Sequence, residues 1–235
     1  MTPLIRVNDL TQKIGPKNVL DKLSFELFSG ECLGLFGVRG AGKTTLLHIL
    51  AGIDRFKAGS VEVLGCDIRK SEVFKKQLGL VTQEQSLFRD LNVHENLEFI
   101  SVLKNAGREN IPGLVKRFEL QDCLGEMVGT LDAGIYQRLS LACALLNTPR
   151  LLIADDLIND IDPYSRRLIL KELARFINSG GACIWGFSRI EFCAATSRVG
   201  WLENGLLTLH SPQEAEELWD NRLRLIEQQS GEKDA

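Results

Sequence analysis

GVRGAGKTTLL, Gly37 to Leu47, decides the fold. It follows the strand-like run ECLGLFG and opens a helical pattern. It matches G-x-x-x-x-G-K-[ST] at Gly37, Gly42, Lys43 and Thr44. A turn built of Gly37, Val38, Arg39, Gly40, Ala41 and Gly42 lets successive backbone N–H groups face inward around phosphate oxygens. The helix that starts at Lys43, Thr44 and Thr45 aims its N-terminus at the same point. Lys43 reaches the terminal phosphates, and the Thr44 hydroxyl is a ligand for Mg²⁺. A glycine-rich turn with a surface lysine is the alternative. The strand before it and the helix after it favour the phosphate cradle.

A second stretch, LLIADDLIND, Leu151 to Asp160, is an aliphatic run ending in adjacent carboxylates, Asp155 and Asp156. Such a run reads as a buried strand. Acids at its tip are costly unless a cation or hydrogen bonds hold them. A metal held beside the cradle through Asp155 accounts for one of them, and a helix cap is the simpler alternative. No Asn-Lys-x-Asp guanine motif is present, which argues for ATP over GTP.

The 235 residues, 44% of them apolar, suffice for one substantial core. The longest apolar stretches, such as Leu33–Phe36 and Leu151–Ala154, are too short to cross a bilayer. No basic-then-apolar leader opens the chain. A net charge of −3 gives no case for nucleic-acid binding. Six scattered cysteines without a CxxC pair read as buried free thiols in a reducing compartment. The three histidines lack metal-ligand spacing.

Along the chain, LIRV, VLDKLSFEL, ECLGLFG, SVEVLG and LGLVTQ read as strands. ENLEFISVLKNAG and LVKRFELQDCL place apolar residues at helical spacing. Then LLIAD is a strand, and DPYSRRLILKELARFIN is a helix capped by Asp162 with Pro163 in its first turn. ACIWGF and RVGWLENGLL are strands. SPQEAEELWDNRLRLIEQQ is a polar helix, and SGEKDA is expected as a frayed tail. The result is an α/β core with a helical insertion.

These segments resemble the ATP-binding subunit of an ABC transporter, from about Leu4 to Leu209. They are most similar to bacterial subunits that serve ABC-2 type exporters. VLDKLSFELFSGECLGLFGVRGAGKTTLLHILAG carries the resemblance, as does VTQEQSLFRDLNVHENLEF, which puts a Q-loop glutamine at Gln83. LDAGIYQRLSLACALLNTPRLLIADD aligns with the signature segment and the Walker B strand. The resemblance implies a P-loop NTPase, RecA-like core with an N-terminal antiparallel β subdomain and a helical insertion subdomain. It implies one ATP-binding domain over 1–235, with its core at about 1–83 and 149–210. The helical part then covers about 84–148, and a C-terminal helix and tail cover 211–235. It also implies a head-to-tail dimer, with each ATP between one P-loop and the other signature, and Mg²⁺ on Thr44, Gln83 and Asp155.

The departures from the family pattern shape the functional expectation. Leu-Ser-Gly-Gly is here Leu131, Asp132, Ala133, Gly134. A carboxylate thus stands where a serine would meet the γ-phosphate, and like charges repel. Asp132 also suits a helix cap. The catalytic glutamate is Asp156, shorter by one methylene or about 1.5 Å. A misplacement of ~1 Å can cost on the order of 100-fold in rate. A gapless alignment through Arg198 and Val199 puts the switch histidine on Phe187. The adenine-stacking aromatic falls on Ile14.

The expectation is an ATP-binding subunit of an exporter that holds MgATP and hydrolyses it weakly. It sits on the inner face of the cytoplasmic membrane against an integral membrane subunit, and pairs with a second, different and intact cassette. A pseudo-ATPase that assembles or regulates a complex is the runner-up. A soluble ABC protein of nucleic-acid metabolism is disfavoured, since such proteins carry two cassettes or added basic segments.

Overall fold

Two sheets organise residues 2–231, whose backbone this computed structural model describes; side chains are described for 2–226. The first sheet contains β1 (Ile5–Ile14), β2 (Lys17–Leu27), β4 (Ala58–Val63) and the short β5 (Cys66–Asp67). It is antiparallel, in the order β2-β1-β4-β5. The second contains β3 (Cys32–Phe36), β6 (Leu78–Val81), β7 (Leu151–Asp155), β8 (Ala182–Phe187), β9 (Arg198–Glu203) and β10 (Leu206–His210). Its order is β10-β9-β3-β8-β7-β6, parallel except for β10.

The parallel strands are apolar on both faces, as burial between two layers requires. Side chains still alternate between the layers. Leu33 and Leu35 of β3, Leu151 and Ile153 of β7, and Ile184 of β8 pack with α1 (Lys43–Leu50) and the antiparallel sheet. Cys32, Phe36, Leu152, Ala154, Cys183, Trp185 and Phe187 face the opposite layer. That layer is built on α4 (Ala133–Leu145) and α5 (Pro163–Asn178). The helices α2 (Val93–Leu103) and α3 (Asn110–Arg117) join α4 between β6 and β7. This is the P-loop NTPase arrangement with an antiparallel N-terminal sheet and an inserted helical segment.

Local chemistry sets the helix ends. Asn92 and Glu95 form a reciprocal capping box at α2, with both bonds at 2.8 Å. Asp162 accepts from the Ser165 N–H at 2.8 Å, and Pro163 fits the first turn of α5, where no N–H partner is needed.

Three expectations change. The helix expected over LVKRFELQDCL stops at Arg117, and Glu119 turns to φ 52°. RVGWLENGLL is not one strand but the hairpin β9–β10. Asn204 and Gly205 adopt φ 50° and 80°, as a two-residue turn of positive φ demands. The last helix, α6 (Pro212–Gly231), runs into the segment read as a frayed tail; residues 232–235 of that segment lie outside the described ones. All six cysteines are free, and five are buried.

Candidate nucleotide site

β3 delivers the chain into the Gly37–Gly42 loop, and α1 carries it away. Gly42 sits at φ 107°, where an added Cβ would lie 2.8 Å from Val19 Cγ1 and 3.0 Å from Val19 O. Only glycine fits both the backbone and the space. Lys43 is the first residue of α1 and is buried. Its ammonium donates to Gly37 O at 2.6 Å, Val38 O at 3.1 Å and Ser188 Oγ at 2.9 Å. Burial lowers its pKa, opposed by the charges of Asp156 and Asp155.

Thr44 Oγ1 donates to Asp155 Oδ2 at 2.6 Å, although 111 positions separate the two residues. Asp155 is 4% exposed at the end of β7. A buried carboxylate beside a hydroxyl offers the oxygen donors that a hard divalent cation takes, and the lysine close by can meet the phosphates that such a cation accompanies. These residues therefore fit Mg²⁺. Asp156 follows in the left-handed region at φ 52°, its N–H bonded to Gly186 O at 2.9 Å. Aspartate tolerates this conformation better than most residues. Burial, and then the charge of Asp155, push the Asp156 carboxyl above the usual carboxylate range, while Lys43 and Arg39 pull the other way.

One depression opens beside the loop and a second beside Asp156. The first, of about 300 Å³, is lined by Ile14, Lys17, Val19, Gly40, Gly42, Lys43, Thr44 and Thr45. Ile14 is 59% exposed at its edge, where a base would lie beside the cradle. An aliphatic side chain offers no π-face, and such contacts contribute about 1–3 kcal/mol per base in other nucleotide sites. Ile14→Tyr is expected to tighten ATP binding about tenfold or more in an equilibrium titration. Equal affinities would mean that the base is held elsewhere. The second depression, of about 230 Å³, brings exposed Gln83 together with Asp156, Ala133, Asn159 and Asp160.

The gapless alignment that put a phosphate contact on Phe187 is not supported by the geometry. Phe187 is fully buried and packs on Trp185, Phe36 and Phe192. Alternation along β8 explains this: 183, 185 and 187 share the α5 face, so the next residue on the α1 face after Ile184 and Gly186 is Ser188. Ser188 is the side chain that meets Lys43. Counting the period of two from the apolar pattern would have found it. Two further residues were missed and carry no sequence signal. Tyr136 Oη accepts from the Leu87 N–H at 3.1 Å, and buried Asn96 bonds Phe88 N–H and O; together they anchor the loop that holds Gln83.

Asp132 caps α4, accepting from the Ile135 N–H at 2.8 Å, and remains exposed. Gly134 is buried against the cap of α5: an added Cβ would lie 2.2 Å from Asp162 Oδ2 and 2.5 Å from Ser165 Oγ. Its lack of a side chain thus serves packing within the chain. Gly134→Ala is expected to displace the Asp162 cap and destabilise the fold by about 1–2 kcal/mol, read as a lowered thermal midpoint.

Residues 20–159 match the ABC transporter family model. The chain belongs to that family, as its nucleotide-binding domain. It is 34% identical over 221 residues to Nod factor export ATP-binding protein I of Rhizobium sp., covering 92% of this chain and 65% of that protein. It is 32% identical over 228 residues to the protein of that name from Sinorhizobium fredii, covering 95% of this chain and 60% of the relative. The chain thus spans under two thirds of these two relatives' length. An uncharacterized ABC transporter ATP-binding protein of Bacillus subtilis is 30% identical over 211 residues, covering 88% of this chain and 69% of the relative. Among solved structures, an ATP-binding subunit of an ABC transporter matches with TM-score 0.83 and 21% identity, covering 92% of this chain and 93% of its own. An ATP-binding cassette dimer with ADP and Pi, in a post-hydrolysis state, matches with TM-score 0.81 and 21% identity, covering 88% and 98%. These two likenesses concern the fold.

Proposed function

We propose that this chain is the ATP-binding subunit of an ABC exporter, holding MgATP at Gly37–Thr45 and hydrolysing it weakly at its own site. The observation that carries the reading is the Thr44–Asp155 hydrogen bond beneath the buried Lys43 ammonium. It joins the helix start and the strand tip that a phosphate-bound cation needs. Bound Mg²⁺ supplies charge neutralisation to the phosphates. The chain's own residues do the rest: the loop amides and Lys43 orient the phosphates, Thr44 and Asp155 hold the cation, and Asp156 with Gln83 faces the attacking water. Asp156 does so from a side chain that is short by one methylene. The export assignment rests on the printed function of the Nod factor relatives.

Residues 1–235 form one cassette in this reading, with the helical part at about 84–148. Exposed Phe99, Val102 and Leu103 of α2, with exposed Phe88 of the preceding segment in edge contact with Phe99 at 4.8 Å, present an apolar face there. That face suits a membrane-spanning subunit. Among the described residues no helix is long and apolar enough to cross a membrane itself. In this reading the chain lies on the inner face of the cytoplasmic membrane, against that subunit. A head-to-tail partner would bring a second signature to this P-loop and receive Asp132, Ala133 and Gly134 at its own. The partner is best a different, intact cassette.

The second reading, a pseudo-ATPase that assembles or regulates a complex, is favoured by Asp156 and by the absence of a histidine at both 187 and 188. Purification of the tagged chain from membranes, followed by phosphate-release measurement on the complex, decides between them. Co-purified membrane protein with ATP-dependent phosphate release supports the exporter. Stable assembly without release supports the pseudo-ATPase. Recovery of the chain with no membrane protein sinks the export reading.

A further inference from the structure

The end of the parallel sheet away from the cradle holds a cluster of cations around a cavity. Arg150 immediately precedes β7 and Gly181 immediately precedes β8, so this is the edge where both strands begin. Asp155, at the other end of β7, lies roughly 15 Å away along the strand. A concave pocket of about 470 Å³ opens at this edge, a size that suits a small molecule. Three guanidinium groups line it: Arg117 at the end of α3, Arg150 at the entry to β7 and Arg175 in α5. Buried Leu145, Pro149 and Phe176 supply apolar walls, and no carboxylate lines it among the described residues.

The charges here do not balance. Glu172 is 2% exposed and accepts from Arg117 Nε at 2.6 Å and Arg175 Nη1 at 3.4 Å. That pairing ties α3 to α5 and fixes the Arg117 fork. The Arg150 side chain makes no hydrogen bond, ion pair or ring contact among the described residues. Three positive charges therefore share one buried negative charge. Apolar walls make the remaining attraction for an anion stronger than it would be in open water. Guanidinium forks match the paired oxygens of phosphate and carboxylate.

The rim adds an independent sign. Thr148 lines the same pocket and holds φ 45°, an outlier for a β-branched residue. Its loop is held on both sides: Asn110 Nδ2 donates to Leu146 O at 3.0 Å, and Asn147 Nδ2 to Lys76 O at 2.8 Å. Strain maintained in this way clusters at ligand clamps. The Thr148 hydroxyl has no partner among the described residues and adds a donor beside the arginines.

We propose that this pocket binds a small, multiply charged oxyanion, carrying phosphate or carboxylate groups, between Arg117, Arg150 and Arg175. The site is separate from the nucleotide cradle and does not depend on the ATP-binding reading. The plainer alternative is a structural ion pair with one solvated arginine beside it, which attracts anions only through net charge.

The experiment is an isothermal titration of the full chain with inorganic pyrophosphate and with citrate, at one fixed ionic strength. Lys43→Ala is the background, so that the cradle does not compete for the probe. That chain should bind one equivalent of at least one probe. Adding Arg150→Ala should weaken this binding on the order of 10- to 100-fold, the range for charge-assisted hydrogen bonds. Arg150→Lys should restore part of it. Arg167→Ala removes an exposed charge outside the pocket, and should leave the affinity within about twofold, because salt screens distant charges. The melting temperature without ligand should not move on Arg150→Ala, since that side chain has no partner in the empty chain. Tighter binding of pyrophosphate marks the ligand as a phosphate compound, and tighter binding of citrate marks it as a polycarboxylate. The proposal is overturned if neither probe binds saturably. It is overturned equally if Arg150→Ala leaves the affinity unchanged, or if Arg167→Ala weakens binding as much as Arg150→Ala does.

Discussion

Lys43→Ala is expected to remove most of the ATP affinity of this chain. Each charge-assisted hydrogen bond from an ammonium contributes about 1.5–3 kcal/mol, so two bonds to phosphate oxygens make the loss on the order of 100-fold or greater. The fold should survive the change. Burial lowers the lysine's pKa in the folded chain below its ordinary 10.5. Between those two values the unfolded chain holds the proton that the folded chain has released, so this residue's contribution to stability rises with pH across that window. At neutral pH burial disfavours the charge while its bonds to Gly37 O, Val38 O and Ser188 Oγ offset that cost, so the melting temperature of the empty variant should stay near that of wild type. The check is paired: nucleotide titration and a thermal melt on the same preparation. Undiminished ATP binding would remove the phosphate cradle from consideration, however well the sequence matches.

The isolated chain is expected to turn over ATP far below about 1 s⁻¹, the lower end of ordinary enzyme rates. Asp156 falls short by about 1.5 Å, which costs on the order of 100-fold. Neither Phe187 nor Ser188 can supply an imidazole, and a lost transition-state hydrogen bond costs about another 100-fold or more. In a complex with an intact cassette the two ATP sites would differ. The P-loop described here would receive a sound signature but keep Asp156 and Ser188. The partner's P-loop would keep its own base and switch residue, and face only Asp132 and Ala133. Hydrolysis should then occur mainly at the partner's P-loop. Lys43→Ala in this chain should spare more ATPase activity than the equivalent lysine change in the partner. Fast turnover by the isolated chain, or by a complex containing only copies of it, would defeat the argument.

Most of the core was readable because its signals are local. The Gly37–Thr44 loop needs its glycines and its lysine in fixed order, and the aliphatic strands β3, β7 and β8 end where the site begins. The Asp162 cap and Pro163 gave the start of α5 directly. The site's finer geometry depends on contacts across the sheet. Alignment by count put the switch position on Phe187, but the alternation of β8 turns that side chain into the core beside Trp185 and offers Ser188 to Lys43. The β9–β10 hairpin was legible in its Asn204-Gly205 pair, a turn signal that the reading of one continuous strand passed over. The anchoring of the Gln83 loop by Tyr136 and Asn96 joins segments that nothing in the local sequence links.

The close approach of Gly134 to Asp162 has a consequence for descent. Both residues stand at the start of a helix, far apart along the chain, yet together with Ser165 they enclose one small volume that has no room for a side chain at 134. A lineage that acquires a side chain at 134 should carry smaller residues at both 162 and 165, and one that keeps Asp162 and Ser165 should keep the glycine. The three positions are thus expected to drift together, whatever happens to the activity of the site between them.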